Sequence, residues 1–342
     1  MTGRVVRVAS GGPPLLDIFS AARAGPPERL SLAQLEQIRR TVRRVPEVVV
    51  KVTGGGRNIR AVVAHLDYIG HHGEAELESD RGELLAKDEE KEFLRPWHLE
   101  LSSGQYRSKG TAQSVASRIK LVHNIVLGMP AGTPARKVLA ATKAFAREKF
   151  GAQHRYVMAL HTHQQHPHVH LVVKAEREDG CGRLHIDKAM LREWRQDFAR
   201  LLRERGVAAN ATSRAARGQT KRAERDAVYR AKARGTSSYA VREEMDGIVR
   251  ELGSTGTIRD PARGKLVETR KALVAGWLAT AKTLDAQGEP ELAADVREFA
   301  RALPAVRTDR ERLAAAFIRF VKEQWPLERP RPPRERDMEL TR

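Results

Sequence analysis

Cysteine is nearly absent: the 342 residues contain one, Cys181, which excludes an intrachain disulfide framework and any paired-cysteine zinc module. Aromatic residues make up only 5% of the chain. No run approaches the roughly 18 consecutive apolar residues of a membrane-spanning helix, and the opening residues lack the apolar stretch of a secretory signal. Acids are also in short supply, 43 against 62 lysines and arginines, for a formal net charge of +19. A positive field of that size attracts nucleic acid or an anionic membrane surface. The hydrophobic fraction of 41% is enough for a core, so the chain is no disordered basic tail. Length suggests about two domains at ~150 residues each. The expectation is a soluble, cytoplasmic protein without membrane insertion that touches nucleic acid.

Residues 1–45 carry eight arginines against three acids and read as a basic N-terminal extension. Within it, Ser31 and Gln34 form a capping box that opens a helix running to Arg44. Glu47–Thr53 is β-branched and stopped by Gly54–Gly56, the pattern of a strand. Asn58 caps a helix over 59–69, where Ile59, Val62, Val63, Leu66 and Ile69 recur at helical spacing. From Glu74 to Glu92 nine acids face three bases, a solvated hairpin and helix turned away from any nucleic acid. Ile119–Met129 reads as a strand, and Pro134 in a first turn starts a helix to Phe150. Tyr156–His161 and His168–Lys174 are two more strands around a short turn. Beyond Asp187 the chain becomes helical: Ala189–Arg205 first, then apolar stripes at Leu273/Trp277/Leu284, Leu292/Val296/Phe299 and Leu313/Phe317/Phe320, with Thr308 and Glu311 capping the last. This order predicts an α+β fold: a central, mostly antiparallel sheet flanked by helices, followed by a helical C-terminal region. Its expected parts are the extension 1–45, a domain over 46–210, a helical and basic region over 211–325, and a disordered Pro/Arg-rich tail at 326–342.

Histidine is unevenly spread, with five of twelve between residues 161 and 170. On a strand, side chains alternate between faces, so His168 and His170 share one face while Val169, Leu171 and Val173 take the other. A hairpin closing near Gln164–Gln165 lays His161 across from that pair. Three neutral imidazoles then converge on one point, which suits a borderline divalent metal and leaves coordination positions open for substrate. His163 and His166 are left for the turn or for support.

Tyr68 ends the second helix in His65-Leu-Asp-Tyr-Ile-Gly70, with His65 and His72 at i−3 and i+4 on its face. A phenol is a poor nucleophile at neutral pH, but near a divalent ion its anion becomes accessible and attacks phosphorus. Spacing alone does not tie Tyr68 to the histidines. From spacing alone, a tyrosine that packs at a helix end with a wet hydroxyl is the favoured reading.

These stretches resemble the relaxases, or mobilisation nucleases, of conjugative elements, with closest likeness to the MOBP type and the agrobacterial T-DNA relaxases within the HUH endonucleases. Arg60–Gly70 is similar to the first relaxase motif, His123–Thr133 to the second, and His161–Val173 to the metal-binding third. The resemblance implies that Tyr68 is the nucleophile. It implies that His161, His168 and His170 are ligands of a divalent metal, Mg²⁺ or Mn²⁺, with His163, His65 and His123 auxiliary. The match runs over roughly 47–210. Gly128 stands where the family often has Ser or Thr, and His163 where it usually has an acid.

The activity so implied is nicking of one DNA strand at an origin of transfer by metal-assisted transesterification, giving a 5′-phosphotyrosine adduct. The basic block at 203–234, with ten Lys/Arg against three acids, then tracks phosphates, with Arg214, Arg217, Lys221, Arg222 and Arg225 as candidate contacts. Implied partners are single-stranded or melted origin DNA, relaxosome accessory proteins and a type IV secretion coupling protein, in a bacterial cytoplasm. Three other readings share parts of the pattern. A rolling-circle replication initiator usually places its His-X-His ahead of the tyrosine, opposite to the order here. A non-catalytic, relaxase-derived DNA-binding protein fits Gly128 and His163. A metal-dependent hydrolase unrelated to DNA fits the histidines but leaves the charge unexplained.

Overall fold

The structure, a computed structural model, describes residue 18 and residues 28–70, 75–100, 119–220 and 239–324. The chain divides into two compact units, the first taking in residues 31–212 and the second 17–30 together with everything from Ser213 onward.

The first unit opens with α1 (Leu32–Val42), and the Ser31–Gln34 capping box is formed in both directions. Strand β1 (Val49–Gly54) leads into α2 (Ile59–Ile69), where the Asn58 side chain accepts from the Ala61 N–H as read from the sequence. The tight passage between them needs glycine: a Cβ on Gly56 would lie 2.4 Å from a Val62 methyl carbon. The acidic stretch forms two short strands, β2 (Leu77–Ser79) and β3 (Leu84–Leu85), and α3 (Glu90–Leu94). It is less solvated than its charge suggests, since β2 joins the main sheet and Leu77 and Glu90 are buried. Then come β4 (Val122–Gly128), α4 (Ala135–Lys149), β5 (Tyr156–His161), β6 (His168–Lys174) and α5 (Lys188–Glu204). Pro134 is the N-cap of α4, one position outside the first turn expected for it.

The six strands make one sheet in the order β1-β4-β6-β5-β2-β3, every pairing antiparallel. Two cores follow from strand alternation. On one face Ile125, Leu127, Met158, Val169, Leu171 and Val173 pack against Phe145 of α4, Phe150 just after it, and Trp194 and Phe198 of α5. On the other, Val122, Val157, Ala159 and Val172 pack against Val62, Leu66 and Ile69 of α2. The helix carrying Tyr68 is therefore held down on the centre of the sheet by its own apolar stripe.

The second unit is helical: α6 (Tyr239–Thr255), α7 (Ala262–Ala286), α8 (Pro290–Arg301) and α9 (Asp309–Gln324). Leu273, Trp277 and Leu284 of α7 meet Leu292, Val296 and Phe299 of α8, with the Trp277 and Phe299 rings edge to face. Thr308 and Glu311 cap α9 reciprocally. Its stripe is not a buried one, because Phe320 is 58% exposed and Ala314 is the buried residue of that helix. Helix α6 has no forerunner in the sequence reading. The expected tail at 326–342 lies outside the described residues. No helix among the described residues is long and apolar enough to cross a membrane.

Candidate metal centre and nucleophile

The site sits on β5 and β6, the two central strands, at their hairpin end. The register pairs His161 with His168 and Ala159 with His170, so the three imidazoles emerge on the α2 face. Ring centroids are 4.4 Å apart for His161–His170, 5.1 Å for His168–His170 and 5.2 Å for His161–His168. One nitrogen from each lies within 4.8 Å of the others. The convergence inferred from strand alternation is present.

The backbone fixes two of the tautomers. Nε2 of the buried His161 is 2.6 Å from the Ile69 carbonyl oxygen, and Nδ1 of His168 is 2.9 Å from the His166 carbonyl oxygen. A carbonyl only accepts, so in each ring the nitrogen facing it carries the proton and the opposite nitrogen holds the lone pair. Metal-binding histidines are oriented in this way by a hydrogen bond from the other ring nitrogen. Burial pushes the His168 imidazole below its ordinary range. Burial, reinforced by His161, His168, His65 and Lys51, brings His170 down to about 3. Neutral imidazoles with preset tautomers fit a divalent ion.

The bond to Ile69 does a second thing. Ile69 is the last residue of α2 and follows Tyr68, so a triad histidine fastens the end of the tyrosine helix. Tyr68 is 49% exposed. Its ring stacks on His65 with centroids 6.3 Å apart, and His65 meets His170 edge-on at 6.4 Å. His65 is held below its usual range by burial, and its Nε2 is buried without a hydrogen-bond partner among the described residues. Tyr68, His65 and His170 thus form a continuous row from solvent to the triad. His163 stands at the rim, 5.2 Å from the His161 ring.

Other candidate residues fall elsewhere. His123 pairs with Val173, which turns it to the α4/α5 face, away from the triad. There Nε2 meets the Leu184 carbonyl at 3.1 Å, and burial lowers the imidazole to about 4. Arg214 is exposed and Arg217 half-buried, both in the second unit. Lys221, Arg222, Arg225 and His72 lie outside the described residues.

Residues 102–207 match the relaxase family, MobA/VirD2-like, in its nuclease domain. This stretch of the chain is similar to a relaxase nuclease domain. The matched span holds all three triad histidines and begins beyond Tyr68. T-DNA border endonuclease VirD2 of Agrobacterium fabrum is 28% identical over 198 residues, 54% of this chain and 43% of that protein. The proteins of the same name from Rhizobium rhizogenes and Rhizobium radiobacter are 27% and 28% identical over 50% and 52% of this chain, and 42% and 44% of their own lengths. The match spans less than half of these relatives.

The first unit also holds one residue that the sequence analysis passed over. Lys51 of β1 pairs with Val126, which pairs with His170, so all three point to the triad face. Gly128 is directly opposite His168, and a Cβ there would come within 2.9 Å of the His168 Cβ. A pocket of about 340 Å³ opens on the α4 face of the sheet beside β2 and β5, lined by Glu76, Glu78, Leu139, Met158 and Leu160 among others. The alternation in Val-Val-Lys-Val-Thr could have marked Lys51. What hid it was a run of β-branched residues that reads as buried on both faces.

Proposed function

We propose that this chain is a DNA-nicking transesterase whose nucleophile is Tyr68, acting on one strand at an origin of transfer. The observation that carries the reading is the Ile69–His161 hydrogen bond. It joins the end of the tyrosine helix to a triad that the relaxase family match covers. In the proposed step the Tyr68 oxygen attacks phosphorus in line. A tyrosine–phosphorus bond forms as the bond from phosphorus to the 3′-oxygen breaks, leaving a 3′-hydroxyl and a 5′-phosphate on the protein. One phosphodiester replaces another, so the strand can be rejoined without a nucleoside triphosphate. His161, His168 and His170 would hold a divalent ion, Mg²⁺ or Mn²⁺, which when bound supplies Lewis acidity at the scissile phosphate. His65 keeps the Tyr68 ring against the triad and, being neutral, is a proton acceptor beside it. Arg214, Arg217, Lys221, Arg222 and Arg225 are proposed to contact phosphates. Accessory proteins and a secretion coupling protein remain partners proposed by resemblance, as does the bacterial cytoplasmic setting.

The test is incubation with a single-stranded oligonucleotide library and Mn²⁺, followed by denaturing separation. The expected result is a covalent protein–DNA adduct that is lost in Tyr68→Phe. A second reading, a DNA-binding protein without nicking, is favoured by the lack of a carboxylate in the triad group among the described residues. Binding without adduct in any divalent metal would establish it.

A further inference from the structure

We propose that Lys51 binds a phosphodiester of the substrate strand adjacent to the scissile one, so that the strand lies on the β1 side of the triad. The proposal rests on the DNA-nicking reading above and adds where the polyanion runs.

Two observations lead to it. First, position: β1 and β6 are separated by β4 alone, which puts Lys51 about 10 Å from His170 across two strand spacings, within reach of a lysine side chain. Second, availability: Lys51 is exposed and has no ion-pair or hydrogen-bond partner among the described residues. By contrast, Lys143 is held by Glu78 at 2.6 Å, Lys149 by Asp197 at 2.7 Å and Lys174 by Glu178 at 2.7 Å. Beside it on β1, Val49 is 43% exposed and Thr53 is exposed, so this edge face is open.

An unpaired ammonium near three histidines also opposes binding of a cation there. Such an arrangement makes sense when an anion is to be held as well. That conflict supplies a signature: removing the Lys51 charge should weaken DNA binding and strengthen metal binding at once. A residue needed only for folding would weaken both.

The experiment uses the full chain with Lys51→Ala, Lys51→Arg and, as a charge-matched control on the other face, Lys188→Ala. Affinity for a mixed-sequence single-stranded oligonucleotide is measured by fluorescence anisotropy in EDTA across salt concentrations, since a phosphate contact acts on all sequences alike. Mn²⁺ affinity of the protein alone is measured by electron paramagnetic resonance. Lys51→Ala is expected to bind DNA about 5–10-fold more weakly and to lower the magnitude of the log–log salt slope by about 0.7, the value for one single-strand phosphate contact. It should bind Mn²⁺ about 2–5-fold more tightly by relief of Coulomb repulsion. Lys51→Arg should keep the slope. Equal slopes for Lys51→Ala and Lys188→Ala, or weakening of both ligands, would overturn the Lys51 assignment alone. DNA binding without any adduct would overturn the nicking reading, and with it the placement beside a scissile phosphodiester, even where the salt slope shows a phosphate at Lys51. No DNA binding by the unaltered chain would overturn both.

Discussion

Replacing Gly128 by serine adds the hydroxyl that the resemblance leads one to expect at this position, yet the geometry sets the addition against a metal ligand. The new Cβ would lie 2.9 Å from the His168 Cβ and 3.2 Å from the Pro167 carbonyl oxygen. Carbon–carbon contacts settle at about 3.5–4.0 Å, so β4 and β6 must part by roughly 0.6–1 Å at this pair. Overpacking of that kind costs about 1–3 kcal/mol, which in a unit of this size lowers the melting temperature by about 3–10 °C. The displacement acts directly on His168. Metal sites tolerate only about 0.2 Å in ligand distance, so Mn²⁺ affinity should fall by at least about tenfold. Gly54→Ala is the control, since its added Cβ meets nothing nearer than the Asn124 amide nitrogen at 3.9 Å. Thermal melts and Mn²⁺ titrations of Gly128→Ser, Gly128→Ala and Gly54→Ala are the assay. A Gly128→Ala protein with unchanged melting temperature and Mn²⁺ affinity would refute the claim that glycine is there to admit the ligand.

His161 should separate into two roles. His161→Gln and His161→Ala both lose the metal ligand, but Gln retains an N–H able to reach the Ile69 carbonyl, so amide exchange at the end of α2 should rise only in His161→Ala. Arg155 and Asp80 form a largely buried pair at 2.7 Å; Asp80→Ala leaves the guanidinium uncompensated and should cost about 3–5 kcal/mol in urea unfolding. His123 is lowered to about 4 by burial, below its ordinary 6.5. The unfolded chain therefore takes up a proton that the folded one refuses, and stability present above pH 6.5 is lost as pH falls toward 4. That loss is at most about 3 kcal/mol for this group; His123→Gln should flatten the pH dependence of urea unfolding between pH 7 and 5.

The local grammar of the chain was legible without coordinates. Ser31, Asn58 and Thr308 cap their helices through bonds spanning three residues, and the strands Tyr156–His161 and His168–Lys174 end where the alternation ends. The histidine convergence was legible for the same reason, because a short hairpin fixes its own register. Helix α6 and the exposed stripe of α9 were not, since amphipathic spacing indicates which face is apolar but not whether anything covers it. Cross-strand neighbours were out of reach as well. His123 faces away from the triad and Lys51 faces it because β4 lies between β1 and β6, an order that no local pattern encodes. The hydrogen bond that fastens the tyrosine helix joins residues 92 apart. Caps and periodicity follow from forces acting within one or two turns of chain. Which residues share the site is decided by sheet order and packing, which only the folded chain supplies.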